Sequence, residues 1–218
     1  MVTVNALKSI PLFAGLRVEQ LGALASEVTV GRFRRGALIL RAGENSDGFY
    51  VILSGRAKVL IPGEEGSEVI LATLGPGDFF GEMGLLDDHP RSASVQALAP
   101  CELMCLVKAD LMRRLSDNSG LAMCIMRELV KRLRQAHRQI EGLALWDVNK
   151  RVARLLLELS ENIGGERVIK KAPAKQEIAY MVGASREMVS RVISDLRNSG
   201  DIRVDKRRIV VLEKSARR

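Results

Sequence analysis

Two stretches of this 218-residue chain hold side chains whose types and spacing could do chemistry. The first is Gly75-Pro76-Gly77-Asp78-Phe79-Phe80-Gly81-Glu82-Met83-Gly84-Leu85-Leu86, followed by Pro90-Arg91-Ser92-Ala93-Ser94-Val95. Backbone amides near Gly81 to Gly84, with Arg91 and Ser92, could cradle a phosphate. Glu82 could accept a hydrogen bond from a sugar hydroxyl. The spacing matches neither G-x-x-x-x-G-K-[ST] nor G-x-G-x-x-G, so a nucleoside triphosphatase and a dinucleotide enzyme are unsupported. The alternative is a glycine-rich turn closed by an Arg91–Glu82 ion pair.

The second stretch runs from Gln176 to Ile193. Gly183 falls where two helices must turn tightly, and Ser185 suits the N-cap of the second. Val189, Val192, Ile193 and Leu196 form one apolar stripe, which leaves Arg186, Glu187, Ser190, Arg191 and Ser194 together on the opposite face. This pattern predicts a helix-turn-helix with a polar face at the start of its second helix. Arginine can donate to guanine O6 and N7, and glutamate can accept from cytosine N4. Asp205-Lys206-Arg207-Arg208 would put Lys206 and Arg207 on a wing tip near phosphates. The alternative is a helical hairpin whose polar face is only solvated.

The charge distribution bears on both readings. The chain has 34 basic and 26 acidic residues; of these, 17 basic and 10 acidic lie in 147–218, so the last third holds nearly all of the net +8. A near-neutral first part joined to a basic small module suggests a polyanionic partner at the C-terminal end.

Around these stretches the pattern of elements changes. Residues 1–117 contain 13 of the 19 glycines, and short runs such as Leu38–Leu40, Phe49–Leu53, Ala57–Ile61 and Val69–Ala72 alternate with Gly/Pro turns. That predicts an antiparallel sandwich or barrel, preceded by a short helix near Val18–Ser26. From Gly120 to Leu145, Ala122, Met126, Leu129, Leu133, Ala136, Ile140 and Leu143 recur at alternating gaps of 4 and 3. Such a heptad seam predicts a long helix paired with the same helix of a second copy, or one lying on its own β-domain. After Asp147, Val152, Leu155, Leu156 and Leu159 mark a further helix, which Gly164-Gly165 is expected to end. Ile202–Leu212 reads as a small hairpin.

Hydrophobic residues make up 47% and charged residues 28% of the chain, which argues against wholesale disorder. No apolar run approaches the ~20 residues a membrane helix needs, and no secretory pattern is visible. Cys101, Cys105 and Cys124 form no C-x-x-C pair, so a reducing, cytoplasmic setting is expected. No H-E-x-x-H or G-x-S-x-G supports an enzyme. No cysteine cluster or histidine pair supports a metal, haem or iron–sulfur centre, since only His89 and His137 are present.

Taken in order, both motifs resemble the cyclic AMP receptor protein / fumarate–nitrate regulator (Crp/Fnr) family of bacterial transcription factors over almost the whole chain. The resemblance implies an α+β protein: a jelly-roll β-barrel sensor domain (1–119), a dimerisation helix (120–146) and a winged helix-turn-helix (147–218). It implies Glu82 on the ribose 2′-hydroxyl, Arg91 with Ser92 on the cyclic phosphate, and Gly81, Met83 and Gly84 in close approach. Arg132 is a further candidate on the ligand side. Ser185, Arg186, Glu187, Ser190 and Arg191 would read TGTGA-type half-sites in double-stranded DNA. Met126, Leu129, Leu133, Ala136, Ile140 and Leu143 would form the homodimer seam, and RNA polymerase would be a partner.

One departure concerns the base. Ala136 and His137 stand where the cyclic AMP receptor has a threonine and a serine that reach the adenine. Cyclic AMP is therefore the first expectation, with cyclic GMP, cyclic di-GMP or effector-independent control as alternatives.

Overall fold

The computed structural model of the protein describes residues 3–63 and 67–212. It divides into two units, with the boundary between Leu133 and Arg134. The first unit opens with helices α1 (Val4–Lys8) and α2 (Val18–Glu27), matching the helix expected near Val18–Ser26. Strands β1 (Thr29–Phe33), β2 (Leu38–Leu40), β3 (Gly48–Ser54), β4 (Ala57–Pro62), β5 (Glu68–Leu74) and β6 (Phe79–Phe80) follow. A single helical turn, α3 (Met83–Leu86), precedes β7 (Ser94–Ala97) and β8 (Cys101–Val107). Helices α4 (Lys108–Asp117) and α5 (Ser119–Leu145) come next.

The strands form two antiparallel four-stranded sheets, ordered β1-β8-β3-β6 and β2-β7-β4-β5. The expected closed barrel is corrected to two open sheets facing each other. Most successive strands cross between the sheets, and β1, β6, β2 and β5 remain edges. The sheets are joined by side-chain packing instead of a hydrogen-bonded seam. Leu40, Ala57, Leu74, Val95 and Ala97 from one sheet meet Ile52, Phe80, Cys101 and Leu103 from the other.

Alternation along β3 gives the first sheet a second apolar face. Phe49 and Val51, with Met104, Leu106 and Phe79, are buried in one cluster with Leu7 of α1, Leu21 and Leu24 of α2, Leu111 of α4 and Leu121 and Ile125 of α5. Fully burying a side chain such as Phe49 contributes roughly 2–3 kcal/mol. On the surface Glu27 of α2 accepts from both Arg113 and Arg114 of α4. The Arg114 guanidinium beside Glu27 holds its carboxyl below the usual carboxylate range.

Helix α5 has two stripes. Leu121 and Ile125 are buried, with Cys124 and Leu129 packed against the same cluster. Met123, Met126, Val130 and Leu133 are exposed, at 46%, 49%, 50% and 56%, and Ile140 and Leu143 continue at 63% and 57%. The long helix appears where the heptad spacing predicted it, but its seam splits. Leu129 turns to its own unit, while most of the other predicted positions face outward.

The second unit adds α6 (Val148–Leu159), β9 (Glu161–Ile163), β10 (Glu166–Ile169), α7 (Lys175–Val182), α8 (Arg186–Asn198), β11 (Ile202–Asp205) and β12 (Arg208–Val211). Asp147 caps α6 by accepting from the Lys150 amide at 2.8 Å. The expectation that Gly164-Gly165 ends this helix is corrected. The helix stops at Leu159, and the glycine pair, at φ +61° and +87°, is a hairpin turn between β9 and β10. Two consecutive positive φ values suit a two-residue hairpin, not a helix stop. The sheet order β11-β12-β10-β9 therefore enlarges the expected small hairpin to four strands. Val152 and Leu156 of α6, Ile178 and Val182 of α7, Val189 and Val192 of α8 and Ile209 and Val211 of β12 share one core.

Candidate functional site

In the first unit the glycine-rich stretch becomes the β5–β6 turn, β6 and α3. It lies beside the segment that leads into β7. Gly75 N–H donates to Asp78 at 2.8 Å, tightening the turn. Gly81 has φ +83°, and a Cβ there would stand 2.7 Å from Arg91 Nη1 and 3.0 Å from the Gly48 carbonyl. Only glycine meets both the conformation and the close approach. The following turn, Met83–Leu86, opens with amides that have no preceding helical carbonyl to bond. Gly84 is buried and Met83 is 52% exposed.

The charged groups are held inward. Arg91 is 5% exposed and Glu82 4%. Arg91 Nη1 donates to the Gly81 carbonyl at 2.7 Å, and Nη2 donates to the Gly48 carbonyl at 2.9 Å and to Asp47 at 3.2 Å. Its Nε is buried with no partner among the described residues. Glu82 accepts from Arg132 Nη1 of α5 at 2.9 Å. The same guanidinium donates to the Phe79 carbonyl and lies 4.5 Å over the Phe79 ring. The alternative Arg91–Glu82 pair is thus corrected to two separate pairs, Arg91–Asp47 and Glu82–Arg132. Ser92 is exposed, with its hydroxyl 3.5 Å from the Met83 sulfur.

Below this cluster, Tyr50 stacks on Phe80 with centroids 5.3 Å apart. Burial, helped by the neighbouring Cys105, pushes the Tyr50 hydroxyl up to about 12, and burial raises the Cys105 thiol too. Cys105 and Cys101 sit in β8, as small residues of the sheet.

The donor set fits an anion that also carries hydroxyls. A guanidinium has more donors than Arg91's bonds use, its Nε has no partner among the described residues, and the Ser92 hydroxyl follows it in the chain. Glu82 is an acceptor already oriented by Arg132.

The structure gathers Gly81, Glu82, Met83, Gly84, Arg91, Ser92 and Arg132 in the first unit. Ala136 and His137 lie on α5 beyond the boundary, half-buried and exposed respectively. Sequence reading missed Asp47 and Gly48, which are 44 and 43 residues from Arg91. No motif spacing marks a pair that far apart; only the pairing of β3 with its neighbours does.

The second unit shows the helix-turn-helix. Gly183 ends α7 in the left-handed region, at φ +62°. Ser185 caps α8 by accepting from the Met188 amide at 3.2 Å. Val189, Val192 and Ile193 are buried, while Arg186, Glu187, Met188 and Arg191 are exposed. Ser190 accepts from Lys175 Nζ of α7 at 2.8 Å, so its hydroxyl is tied to the first helix of the pair. Lys206, at φ +51°, forms the turn between β11 and β12. Arg207 donates through Nε and Nη2 to the Ala172 carbonyl, which anchors the wing to the segment before α7. An arginine that the sequence did not single out, Arg151 of α6, donates to the Val182 carbonyl at 2.6 Å.

Comparison with known proteins matches each unit separately. Residues 30–118 match the cyclic nucleotide-binding domain, and residues 150–216 match the Crp-like helix-turn-helix domain. Across 95% of both chains, the protein is 30% identical to a CRP-like cAMP-activated global transcriptional regulator of Mycobacterium tuberculosis. It is 33% identical to the cyclic AMP receptor protein of Thermus thermophilus, covering 91% of this chain and 90% of that one. Among solved structures, the c-di-GMP responsive global regulator CLP of Xanthomonas campestris has a TM-score of 0.77 at 25% identity, covering 89% of this chain and 99% of that one.

Proposed function

The chain belongs to the Crp/Fnr family of DNA-binding transcription regulators, and from that premise we propose that it is a cytoplasmic homodimer that senses a cyclic nucleotide and reads a palindromic TGTGA-type site. Cyclic AMP is the first candidate effector, as in the named Mycobacterium and Thermus relatives. Arg91 and Ser92 hold the cyclic phosphate, Gly81, Met83 and Gly84 supply close backbone approach, and Glu82 accepts from the ribose hydroxyl. Ser185, Arg186, Glu187, Ser190 and Arg191 face base edges and phosphates, and Lys206 and Arg207 lie along the backbone.

The observation that carries the sensing half is the Glu82–Arg132 pair. It ties the sugar-binding acid to the long helix. A ligand that competes for Glu82 changes what holds Arg132, and so prefers one setting of α5 over another. A ligand without such a preference could switch nothing. The exposed stripe of Met126, Leu133, Ile140 and Leu143 supports pairing with a second copy, with Ala136 between them. Half-site centres then lie about 34 Å apart, one turn of DNA. RNA polymerase is the natural further partner of such a dimer.

A second effector reading has its own support. Ala136 cannot hydrogen-bond a base, and a protein of similar fold is named as c-di-GMP responsive. Titration calorimetry with cyclic AMP, cyclic GMP and cyclic di-GMP separates the candidates. Heat with cyclic AMP alone is the expected result. Silence with all three would remove the sensor while leaving the DNA-binding regulator.

A further inference from the structure

Arg151 lies at the turn between α7 and α8, although it belongs to neither helix. The last carbonyls of α7 have no helical amide to accept from. Gly183 reverses the chain there, and the Ala184 amide returns to the Ala179 carbonyl at 3.1 Å. The Val182 and Gly183 carbonyls are instead met by Arg151 Nη1, at 2.6 and 3.3 Å. A cation is electrostatically favoured at that end of a helix. The main chain of Arg151 is itself fixed, because it stands in the first turn of α6, where its amide donates to the Asp147 carbonyl at 3.1 Å.

Two further features bear on this contact. Arg151 Nε is buried without a partner among the described residues, a desolvation cost that a merely solvated arginine avoids. A Cβ on Gly183 would lie 3.1 Å from Leu143 of α5 and 3.5 Å from Arg151 Nη1. The turn is therefore walled by the end of α5 on one side and by Arg151 on another. Ser185, the cap of α8, follows two residues later, so a shift at Gly183 moves Arg186 and Glu187 with it.

We propose that Arg151 is a positioning residue for base reading: by gripping the Val182 and Gly183 carbonyls, it fixes the direction in which α8 leaves the turn. The inference rests on α8 being the reading helix. Arg151 itself touches no base. Its loss degrades sequence discrimination and leaves phosphate attraction alone.

The test measures binding of the full chain, without nucleotide and with cyclic AMP, cyclic GMP or cyclic di-GMP, to a palindromic TGTGA-type duplex and to a scrambled duplex, beside thermal unfolding. Arg151→Met is expected to weaken the specific complex about tenfold and the scrambled complex less than about twofold. Unchanged discrimination in Arg151→Met overturns the proposal. Equal losses on both duplexes overturn it too, since they make Arg151 a phosphate contact. If the wild-type chain shows no preference between the duplexes, the reading of α8 itself fails and takes this inference with it. Should Arg151→Met unfold, Arg151→Lys decides, because its ammonium keeps the charge but ends one bond short of the Nη1 position that meets both carbonyls. It is expected to lose about threefold on the specific duplex, with faster hydrogen exchange at the Ala184 amide. A lysine variant matching wild type in both measurements overturns the proposal.

Discussion

The two candidate sites handle charge in opposite ways. In the first unit Arg91 and Glu82 are at least nine-tenths buried and already engaged by Asp47, backbone carbonyls and Arg132. In the second, Arg186, Glu187 and Arg191 stand in solvent, on a helix packed by its apolar side and tied to α7 through Ser190 and Lys175. The difference follows from the size of the partner. A small anion must be enclosed to be held, so its ligands are desolvated and pre-organised before it arrives. A duplex brings its own dense charge and is gripped by counterion release, for which wet, mobile cations suffice. On the proposed function, binding and stability are therefore entangled in the first site and separable in the second.

Replacing Arg91 is the most direct way to break this contrast. From the sequence, Arg91→Ala is expected to lower nucleotide affinity with the fold intact. The geometry revises that, because the Gly81 and Gly48 carbonyls lose their donor. Thermal or urea unfolding should show a loss of about 2–4 kcal/mol, together with calorimetric loss of nucleotide binding. A variant as stable as wild type would mean that the inward bonds contribute little.

Arg186→Ala should be the mirror image. It is expected to cost roughly 1–3 kcal/mol on the specific duplex, little on scrambled DNA, and almost nothing in unfolding. Mobility shifts at several salt concentrations check this. An equal loss on both duplexes would assign Arg186 to a phosphate.

The smallest effect sharpens the comparison by testing an ion pair away from both sites. Glu27 is held below its ordinary pKa by Arg114, so the native state favours the charged form. Its contribution is present above the unfolded carboxylate pKa and fades as pH falls through the lower native value. Glu27→Gln should cost about 0.5–1 kcal/mol near neutrality, and the difference from wild type should shrink in acid unfolding curves. A difference that holds constant into acid would point to packing instead of charge.

How much of this was legible beforehand varies by element. The helix-turn-helix was readable because its signals are local: Gly183, Ser185 and the Val189, Val192, Ile193 stripe lie within about three helical turns. The long helix was readable from its repeat, but a repeat cannot say which partner it faces. Leu129 fits the seam as well as Leu133 does, yet one packs into its own unit and the other is exposed. The β-domain strands were visible as short apolar runs, whereas closure was not, because hydrogen bonding between strands distant in sequence leaves no local mark. Gly164-Gly165 showed the same limit, since a glycine pair stops a helix or turns a hairpin depending on what the flanking residues pair with.

Sequence alone determined the chemical inventory: which residue types sit in the glycine-rich stretch, which face of α8 is polar, and where the positive charge collects. Those properties are set by side-chain type and by helical or strand period, which neighbours in the chain share. Tertiary structure decided the pairings, including Arg91 with Asp47, Glu82 with Arg132, and Arg151 with the turn at Gly183. Each joins residues tens of positions apart, and only the packing of sheets and helices around a common core brings such groups within hydrogen-bonding reach.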